Sequence, residues 1–160
     1  MNAMADVTDA APDGFQQLRA MLTGELNAPM GETLGFKLVE LEPGRVVFEG
    51  APGRSVYNPL GYVHGGYAAT LLDSACAMAV HSQLGANRGH TTLELKVSYQ
   101  RSLSEASGTV RATGRVVSAG RRVAFADATL HDGDGRLCAT ATATLLVFDA
   151  EGHREGVLRP

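Results

Sequence analysis

The sequence predicts an α+β fold in which one antiparallel β-sheet wraps around one long central apolar helix. Residues 65–84 carry one charged side chain among alanine, leucine, methionine and valine, which predicts a helix enclosed on most sides. Four later segments alternate apolar and polar residues between turn signals, a pattern typical of antiparallel strands. A sheet that curves around the helix buries one face of each strand and covers the helix.

The segments before this helix predict an outer helix, a hairpin and a loop. Residues 13–28 place apolar side chains at helical spacing, which indicates a short amphipathic helix on the outside. Residues 34–52 read as two strands joined at a Glu-Pro-Gly-Arg turn. Residues 53–63 combine glycine and proline with aromatic side chains and predict an irregular loop that leads into the helix. We expect the helix to begin at Gly65 or Gly66 and to end near Leu84.

The strands after the helix are predicted over residues 91–103, 108–120, 122–135 and 136–149. Because short turns join them, we expect each strand to pair with the next in an antiparallel meander. The chain then divides into an N-terminal extension with the short helix (residues 1–29), one domain (residues 30–148) and a C-terminal tail (residues 149–160).

Composition excludes several classes of protein. A chain of 160 residues with 44% hydrophobic residues fits one globular domain, and no segment approaches the ~20 apolar residues needed to cross a membrane. Cys76 and Cys138 form no Cys-X-X-Cys motif, and the five histidines show no metal-binding spacing. We therefore expect no metal, no disulfide and a cytoplasmic location.

Charge is distributed unevenly along the chain. Residues 1–50 hold eight acidic and three basic side chains, whereas residues 88–122 hold seven basic and two acidic ones. Such a basic segment favours an anionic partner. Nucleic acid is disfavoured because the segment contains one aromatic residue, Tyr99, and no helix-turn-helix spacing. A small phosphate-bearing ligand fits better, although a solvated sheet face rich in arginine remains an alternative.

One constellation of residues resembles a known family. Asn58, the His-Gly-Gly motif at 64–66 and Asp73 nine positions after His64 are followed by the strand TTLELKVSYQR and the turn SAGRR. Together they resemble the hotdog-fold acyl-CoA thioesterases of the phenylacetate-degradation type, over about residues 30–148. The resemblance implies hydrolysis of a CoA thioester with an aryl or medium-chain acyl group, with coenzyme A as part of the substrate and no separate cofactor. It also implies a homodimer as the minimal active unit, commonly assembled into a homotetramer.

The chemistry of thioester hydrolysis assigns roles to the helix mouth and to Asp73. Gly65 and Gly66 lie where backbone N–H groups lack helical partners and where the helix dipole favours the negative charge of an oxyanion. Asp73 is the candidate general base or nucleophile, because a carboxylate among apolar neighbours needs a use or a partner. The alternatives are that the glycines only permit a tight helix entry and that Asp73 is a satisfied structural residue.

Helix geometry separates these two groups. Gly65 and Asp73 are eight positions apart along the chain, which corresponds to about 12 Å at ~1.5 Å per residue. One thioester carbonyl cannot lie about 3 Å from both. If both groups serve one site, they must come from two chains whose helices run antiparallel across a two-fold axis.

Asn58 and His64 each have alternative roles. Asn58 can orient the water or the thioester, or it can only initiate an Asn-Pro turn. His64 can hold the oxyanion turn in place, contact the substrate or transfer a proton. The predicted substrate-binding residues are Gly66, Tyr57, Tyr62, Cys76, Ala77, Arg101, Arg121 and Arg122, with the arginines assigned to the phosphates of coenzyme A.

Position 77 departs from the pattern of the family. Many relatives carry Thr or Ser one turn after the carboxylate, where the hydroxyl helps to hold water, and this chain has Ala77. Two alternatives to hydrolysis therefore stay open. One is a hotdog hydratase or dehydratase acting on acyl thioesters, and the other is a sensor that binds acyl-CoA without catalysis.

Overall fold

The computed structural model describes residues 11–26 and 28–150. Within them lie three helices, α1 Gly14–Thr23, α2 Pro29–Leu34 and α3 Gly65–His81, and six strands, β1 Phe36–Glu42, β2 Arg45–Gly50, β3 Arg88–Tyr99, β4 Val110–Ala119, β5 Val123–His131 and β6 Leu137–Asp149. Most of the predicted C-terminal tail, residues 151–160, lies outside the described residues.

The six strands form one antiparallel sheet in the order β1-β2-β4-β5-β6-β3. The predicted hairpin is confirmed, since β1 and β2 pair across the turn at Pro43 and Gly44. The later strands begin and end within a few residues of the predicted segments.

The predicted meander is only partly correct. Strands β4, β5 and β6 pair in sequence, but β3 pairs with β6 at the edge of the sheet and not with β4. The physical reason is that β2 occupies the other side of β4, with Val47 opposite Thr113, so that β3 finds its partner at the free side of β6. The connection between β3 and β4 therefore passes across β6 and β5.

Helix α3 lies on the inner face of the sheet and forms the centre of the core. Leu71, Leu72, Ala75, Cys76 and Ala79 are fully buried. Strand β4 comes so close to the helix that a Cβ at Gly114 would overlap the carbonyl group of Ala75. The fold class predicted from the apolar helix is confirmed.

One side of α3 is not covered by the protomer. Gly66, Thr70, Asp73 and Ser74 remain half-buried or exposed, at the helical spacing of one continuous stripe. The sheet therefore covers the apolar side of the helix and leaves its few polar residues accessible.

The helices end where their capping residues dictate. Helix α3 stops at His81, three residues before the predicted end, because the Ser82 hydroxyl donates to the Ala79 carbonyl and accepts from the Gly44 N–H. Helix α1 starts with a capping box formed by Asp13 and Gln16. Its Leu18 is fully buried, so α1 packs against the rest of the domain through this side chain.

Candidate functional site

The loop before α3 is a closed turn organised by Asn58. Tyr57 and Val63 form a bridge across its base, and the Asn58 side-chain oxygen accepts from the N–H groups of Leu60 and Tyr62. The turn-forming role is therefore present. The Asn58 amide nitrogen donates to no described residue, so it is available to a ligand.

His64 caps the first turn of α3. Its Nδ1 atom accepts from the Gly66 N–H at 2.9 Å, and its carbonyl oxygen accepts from the Tyr67 N–H at 3.0 Å. The ring is exposed. His64 thus holds the helix mouth in place, and the Gly66 N–H is already used within the protein.

Gly65 carries the free donor of this turn. Among the described residues no acceptor bonds its N–H, while its carbonyl oxygen accepts from the Tyr99 hydroxyl at 2.9 Å. The N–H sits at the positive end of a 17-residue helix. This is the arrangement required of an oxyanion donor.

Asp73 lies on the open stripe of α3 and is half-buried. The Thr92 hydroxyl donates to its Oδ1 atom at 2.9 Å from strand β3. The second carboxylate oxygen makes no hydrogen bond with the described residues, so it can accept a proton or act as a nucleophile.

Thr92 supplies the hydroxyl that position 77 lacks. Ala77 is buried and has no polar atom in its side chain. The hydroxyl beside the carboxylate comes instead from the neighbouring strand, 19 residues after Asp73. Sequence reasoning missed Thr92 because its alignment with Asp73 depends on how β3 packs on α3, which no local spacing reveals.

Cys76, which is predicted to contact the substrate, lies in the core of the protomer. Its side chain is completely buried in the core. Burial and the neighbouring carboxylates of Asp73 and Asp127 raise the pKa of the thiol to about 12. The side chain of Cys76 therefore packs in the core, and its thiol stays protonated at neutral pH.

A cavity of about 280 Å³ opens beside the helix mouth. Apolar side chains form its floor, and polar residues stand at its rim. The floor comprises Val63, Ala68, Leu103, Leu130, Cys138 and Ala139, and the rim includes His64, Gln100, Arg101 and Ser102. Gly65 and Tyr99 also line this cavity, so the residue with the free N–H is part of the cavity wall.

A larger cavity of about 730 Å³ lies between α1, α2 and strands β1 and β2. Gly65 borders the smaller cavity and not this one, whereas Asp73 borders neither cavity within the protomer. The chemistry of the smaller cavity, and not its size, makes it the candidate site.

The three predicted arginines do not meet in one protomer. Arg101 stands at the rim of the cavity, just beyond the end of β3 where Tyr99 pairs with Ala139. Arg121 and Arg122 lie beyond the other end, where the Arg88 guanidinium donates to the Arg121 carbonyl. The 12 residues of β3 span about 36 Å at ~3.3 Å per residue. One chain therefore cannot clamp a single nucleotide with all three.

Two basic residues of the same segment are already paired. Arg88 forms a salt bridge with Asp149, and Arg111 contacts Glu40 and Glu49 on the outer face of the sheet. The basic segment is therefore less available to an anionic ligand than its composition indicates.

The two tyrosines predicted to bind substrate differ in how far their side chains are engaged within the protomer. The Tyr57 hydroxyl accepts from the Glu105 N–H at 2.8 Å and anchors the loop. Tyr62 is 52% exposed at the loop tip. Tyr62 is thus free to contact a ligand, whereas the Tyr57 hydroxyl has a structural partner.

Residues 11–26 and 28–150 contain no group of three or more His, Cys, Asp or Glu side chains that could hold a metal ion. In the same residues, no helix is both long enough and apolar enough to cross a membrane.

A six-stranded antiparallel sheet packed on one long central helix is the architecture of the hotdog-fold thioesterases. Residues 60–139, half of the chain, match the Thioesterase superfamily, and the chain belongs to that family.

Solved structures agree with this assignment. A thioesterase family protein from Silicibacter pomeroyi is 31% identical, with a TM-score of 0.75 over 85% of this chain and 98% of the other. A variant of the phenylacetic acid degradation protein PaaI from Thermus thermophilus is 30% identical, with a TM-score of 0.68 over 74% and 98%. A Streptococcus mutans protein bound to acetyl-CoA is 28% identical, with a TM-score of 0.65 over 72% and 90%.

Curated relatives are more distant or match over shorter segments. A protein from Saccharolobus solfataricus, described provisionally as an esterase, is 34% identical over 55% of this chain and 57% of its own length. The chain thus spans a little over half of that relative. The 1,4-dihydroxy-2-naphthoyl-CoA hydrolase of Listeria monocytogenes is 24% identical over 72% of this chain and 93% of its own length. The predicted resemblance to phenylacetate-degradation thioesterases is confirmed.

Proposed function

We propose that this protein is an acyl-CoA thioesterase that hydrolyses an aryl or medium-chain acyl-CoA to the free acid and coenzyme A. The observation that carries the proposal is the unused Gly65 N–H at the mouth of the helix that also bears Asp73. The acetyl-CoA complex of one relative and the CoA-ester substrate in the name of another support a CoA thioester as the substrate class.

In the general-base route, Asp73 removes a proton from water while the water oxygen attacks the thioester carbonyl carbon. The Gly65 N–H stabilises the resulting oxyanion, and collapse of the intermediate expels the CoA thiolate, which takes up the proton. In the nucleophilic route, a carboxylate oxygen attacks the same carbon and expels the thiolate, and water then hydrolyses the mixed anhydride. Single turnover in ¹⁸O-labelled water separates the general-base route from a nucleophilic route in which water attacks the Asp73 carbon of the anhydride, because the label enters the acid product in the first case and Asp73 in the second.

The two groups would act from different protomers. Helix α3 is continuous from Gly65 to His81, so the separation of about 12 Å between the donor and the carboxylate holds within one chain. A homodimer with antiparallel α3 helices brings the carboxylate of one protomer to the amide of the other, and a homotetramer would contain four such sites.

The same symmetry offers a purpose for the separated arginines. If β3 runs antiparallel to its copy, Arg121 and Arg122 of one protomer approach the cavity rim of the other, where Arg101 stands. One guanidinium from each side can then contact the phosphates of coenzyme A. A reducing cytoplasm suits this protein, because the described cysteines are both free and buried.

Two substitutions at Gly65 test the oxyanion role. Gly65→Pro removes the N–H, and proline is well tolerated at the first position of a helix, here after a residue whose extended backbone accepts a following proline. Gly65→Ala keeps the N–H and places a similar Cβ against Tyr99. We expect thiol release from a panel of acyl-CoA esters to fall at least about 100-fold in the proline variant and far less in the alanine variant.

Asp73→Asn tests the carboxylate. We expect thiol release to fall about 100-fold or more, with the thermal midpoint little changed because the amide oxygen can still accept from Thr92. Wild-type hydrolysis at the same rate in Asp73→Asn would remove Asp73 from the mechanism. Tight binding of the esters by the wild type without thiol release would identify a sensor instead.

Mixing the two inactive variants tests the shared site. A hybrid dimer of Asp73→Asn and Gly65→Pro contains one site with both defects and one site with neither. Unfolding and refolding of an equal mixture should therefore restore about a quarter of wild-type activity, since half of the dimers are hybrids. No recovery, with hybrids detected by mass spectrometry, would show that the two protomers do not complement each other and would overturn the shared site.

A further inference from the structure

The first peptide group of α3 is held from both sides. In the peptide that joins Gly65 to Gly66, the N–H donates to His64 Nδ1 at 2.9 Å and the carbonyl accepts from the Tyr99 hydroxyl at 2.9 Å. His64 belongs to the same turn, whereas Tyr99 comes from β3. The Tyr99 bond therefore ties the start of the helix to the sheet.

Two consecutive glycines make such a tie necessary. Glycine has the greatest backbone freedom of any residue and no side chain to pack, so a helix that starts with two glycines frays easily. Side-chain packing cannot fix Gly65 and Gly66. Their orientation depends on hydrogen bonds to the backbone itself.

The contact between the ring and the glycine is close. A Cβ built on Gly65 would lie 3.2 Å from the Tyr99 hydroxyl oxygen and 3.3 Å from the ring carbon that bears it. Tyr99 and Gly65 also border the same 280 Å³ cavity. The hydroxyl thus acts on the residue whose own N–H has no acceptor among residues 11–26 and 28–150.

We propose that Tyr99 is a positioning residue for the oxyanion donor, which its hydroxyl aims by holding the Gly65 carbonyl. The N–H and carbonyl of Gly65 belong to the two peptide planes that meet at its Cα atom. One plane is anchored through the His64 carbonyl, which accepts from the Tyr67 N–H, and the other through Tyr99. This inference rests on the proposed thioesterase function.

The geometry of catalysis makes the tie consequential. An oxyanion donor is effective when it lies about 2.7–3.1 Å from the developing charge, and a displacement of about 1 Å can lower a rate about 100-fold. Loss of the Tyr99 hydrogen bond leaves the Gly65–Gly66 peptide held by His64 alone, so that rotation about the Gly65 Cα atom can displace the adjoining peptide plane that carries the donor.

Tyr99→Phe tests the proposal, because it keeps the ring at the cavity wall and removes only the hydroxyl. We expect kcat for thiol release to fall about fivefold to tenfold, the range of one hydrogen bond, with KM changed less than twofold. Tyr67→Phe is the matched control. It removes a hydroxyl from the same helix turn that is buried and has no hydrogen-bond partner among the described residues, so kcat should stay at the wild-type value.

Amide hydrogen exchange gives a readout independent of activity. In protein labelled with ¹⁵N-glycine, exchange at the hydrogen-bonded amide of Gly66 should be faster in Tyr99→Phe than in the wild type and unchanged in Tyr67→Phe. Wild-type kcat together with wild-type exchange in Tyr99→Phe would overturn the proposal, as would a raised KM with unchanged kcat. If the wild type hydrolyses no ester, the proposed function fails, while the exchange rates still decide whether Tyr99 holds the helix start.

Discussion

The Thr92 hydroxyl donates a hydrogen bond to Asp73 Oδ1 across a distance of 2.9 Å. This contact joins the edge strand β3 to the middle of the central helix. Strand β3 also carries Tyr99, which bonds the mouth of the same helix. One strand thus holds both of the groups to which the proposed chemistry is assigned.

Thr92→Val removes the hydroxyl while it keeps the shape of the side chain. We expect kcat for thiol release to fall about tenfold, because the carboxylate loses the donor that orients it. Thr91→Val is the control, since Thr91 is exposed on the same strand and should change neither kcat nor KM. Equal rates for wild type and Thr92→Val would show that the contact only supports the fold.

The buried thiols should be silent in the native protein. Burial raises the pKa of Cys76 to about 12, and both described cysteines are buried. We expect no reaction with a disulfide reagent at pH 8 until guanidinium unfolds the chain, when two thiols react per protomer. Cys76→Ala should remain active and lose about 1–2 kcal/mol of unfolding free energy. A reactive thiol in the folded state, or inactivity of a folded Cys76→Ala, would contradict the packing role.

We expect the stability of the fold to decrease in acid because two neighbouring histidines are buried. Burial lowers the pKa of His90 to about 4, with a smaller contribution from His81, and burial also lowers the pKa of His81. Their rings make an edge contact at 5.2 Å. The unfolded chain binds more protons than the native protein below its histidine pKa of about 6.5, so the free energy of unfolding decreases as the pH falls from about 6.5 towards 4 and is flat just above that range.

Guanidinium unfolding at pH 7.5, 6 and 5 measures this dependence. For His90 alone the loss by pH 4 is on the order of 2–3 kcal/mol. His90→Gln should reduce the slope of unfolding free energy against pH between pH 6.5 and 4, because it removes one buried imidazole. Asp13 and the other carboxylates remain in place, so their contribution is unchanged. An identical slope in the variant would assign the acid sensitivity to other groups.

We expect substitution of the arginines to raise KM only for thioesters that carry the phosphates of coenzyme A. Arg101→Ala should raise KM for an acyl-CoA about fivefold or more and leave KM unchanged for the matching N-acetylcysteamine thioester, which lacks the phosphates. The double variant Arg121→Ala, Arg122→Ala should behave alike if a partner protomer supplies these side chains. Arg19→Ala, exposed on α1, is the control. A loss that is equal for both thioesters would exclude phosphate recognition.

Local patterns were enough to predict the apolar helix, the hairpin, the loop and the strand segments. They also singled out Gly65, His64 and Asp73, because glycines and a lone acid are unusual in such a helix. The position of β3 was missed, since strand pairing is decided by competition for sheet edges and not by the order of segments. Thr92 and Tyr99 were missed for the same reason, because their roles arise from the packing of β3 on α3.

Strand β3 presents 12 residues at the margin of the sheet, and in the described residues its outer side has no neighbouring strand. Unpaired backbone N–H and C=O groups of this kind can pair with any extended chain. A protomer that has not yet dimerised is therefore prone to aggregate. Pairing with an identical strand in the opposite direction covers the open side of β3 in both protomers at once. Pairing in a shifted register would instead leave part of each β3 unpaired, where further copies could add. Refolding at low protein concentration with slow mixing should therefore give a higher yield of active protein than rapid refolding at high concentration.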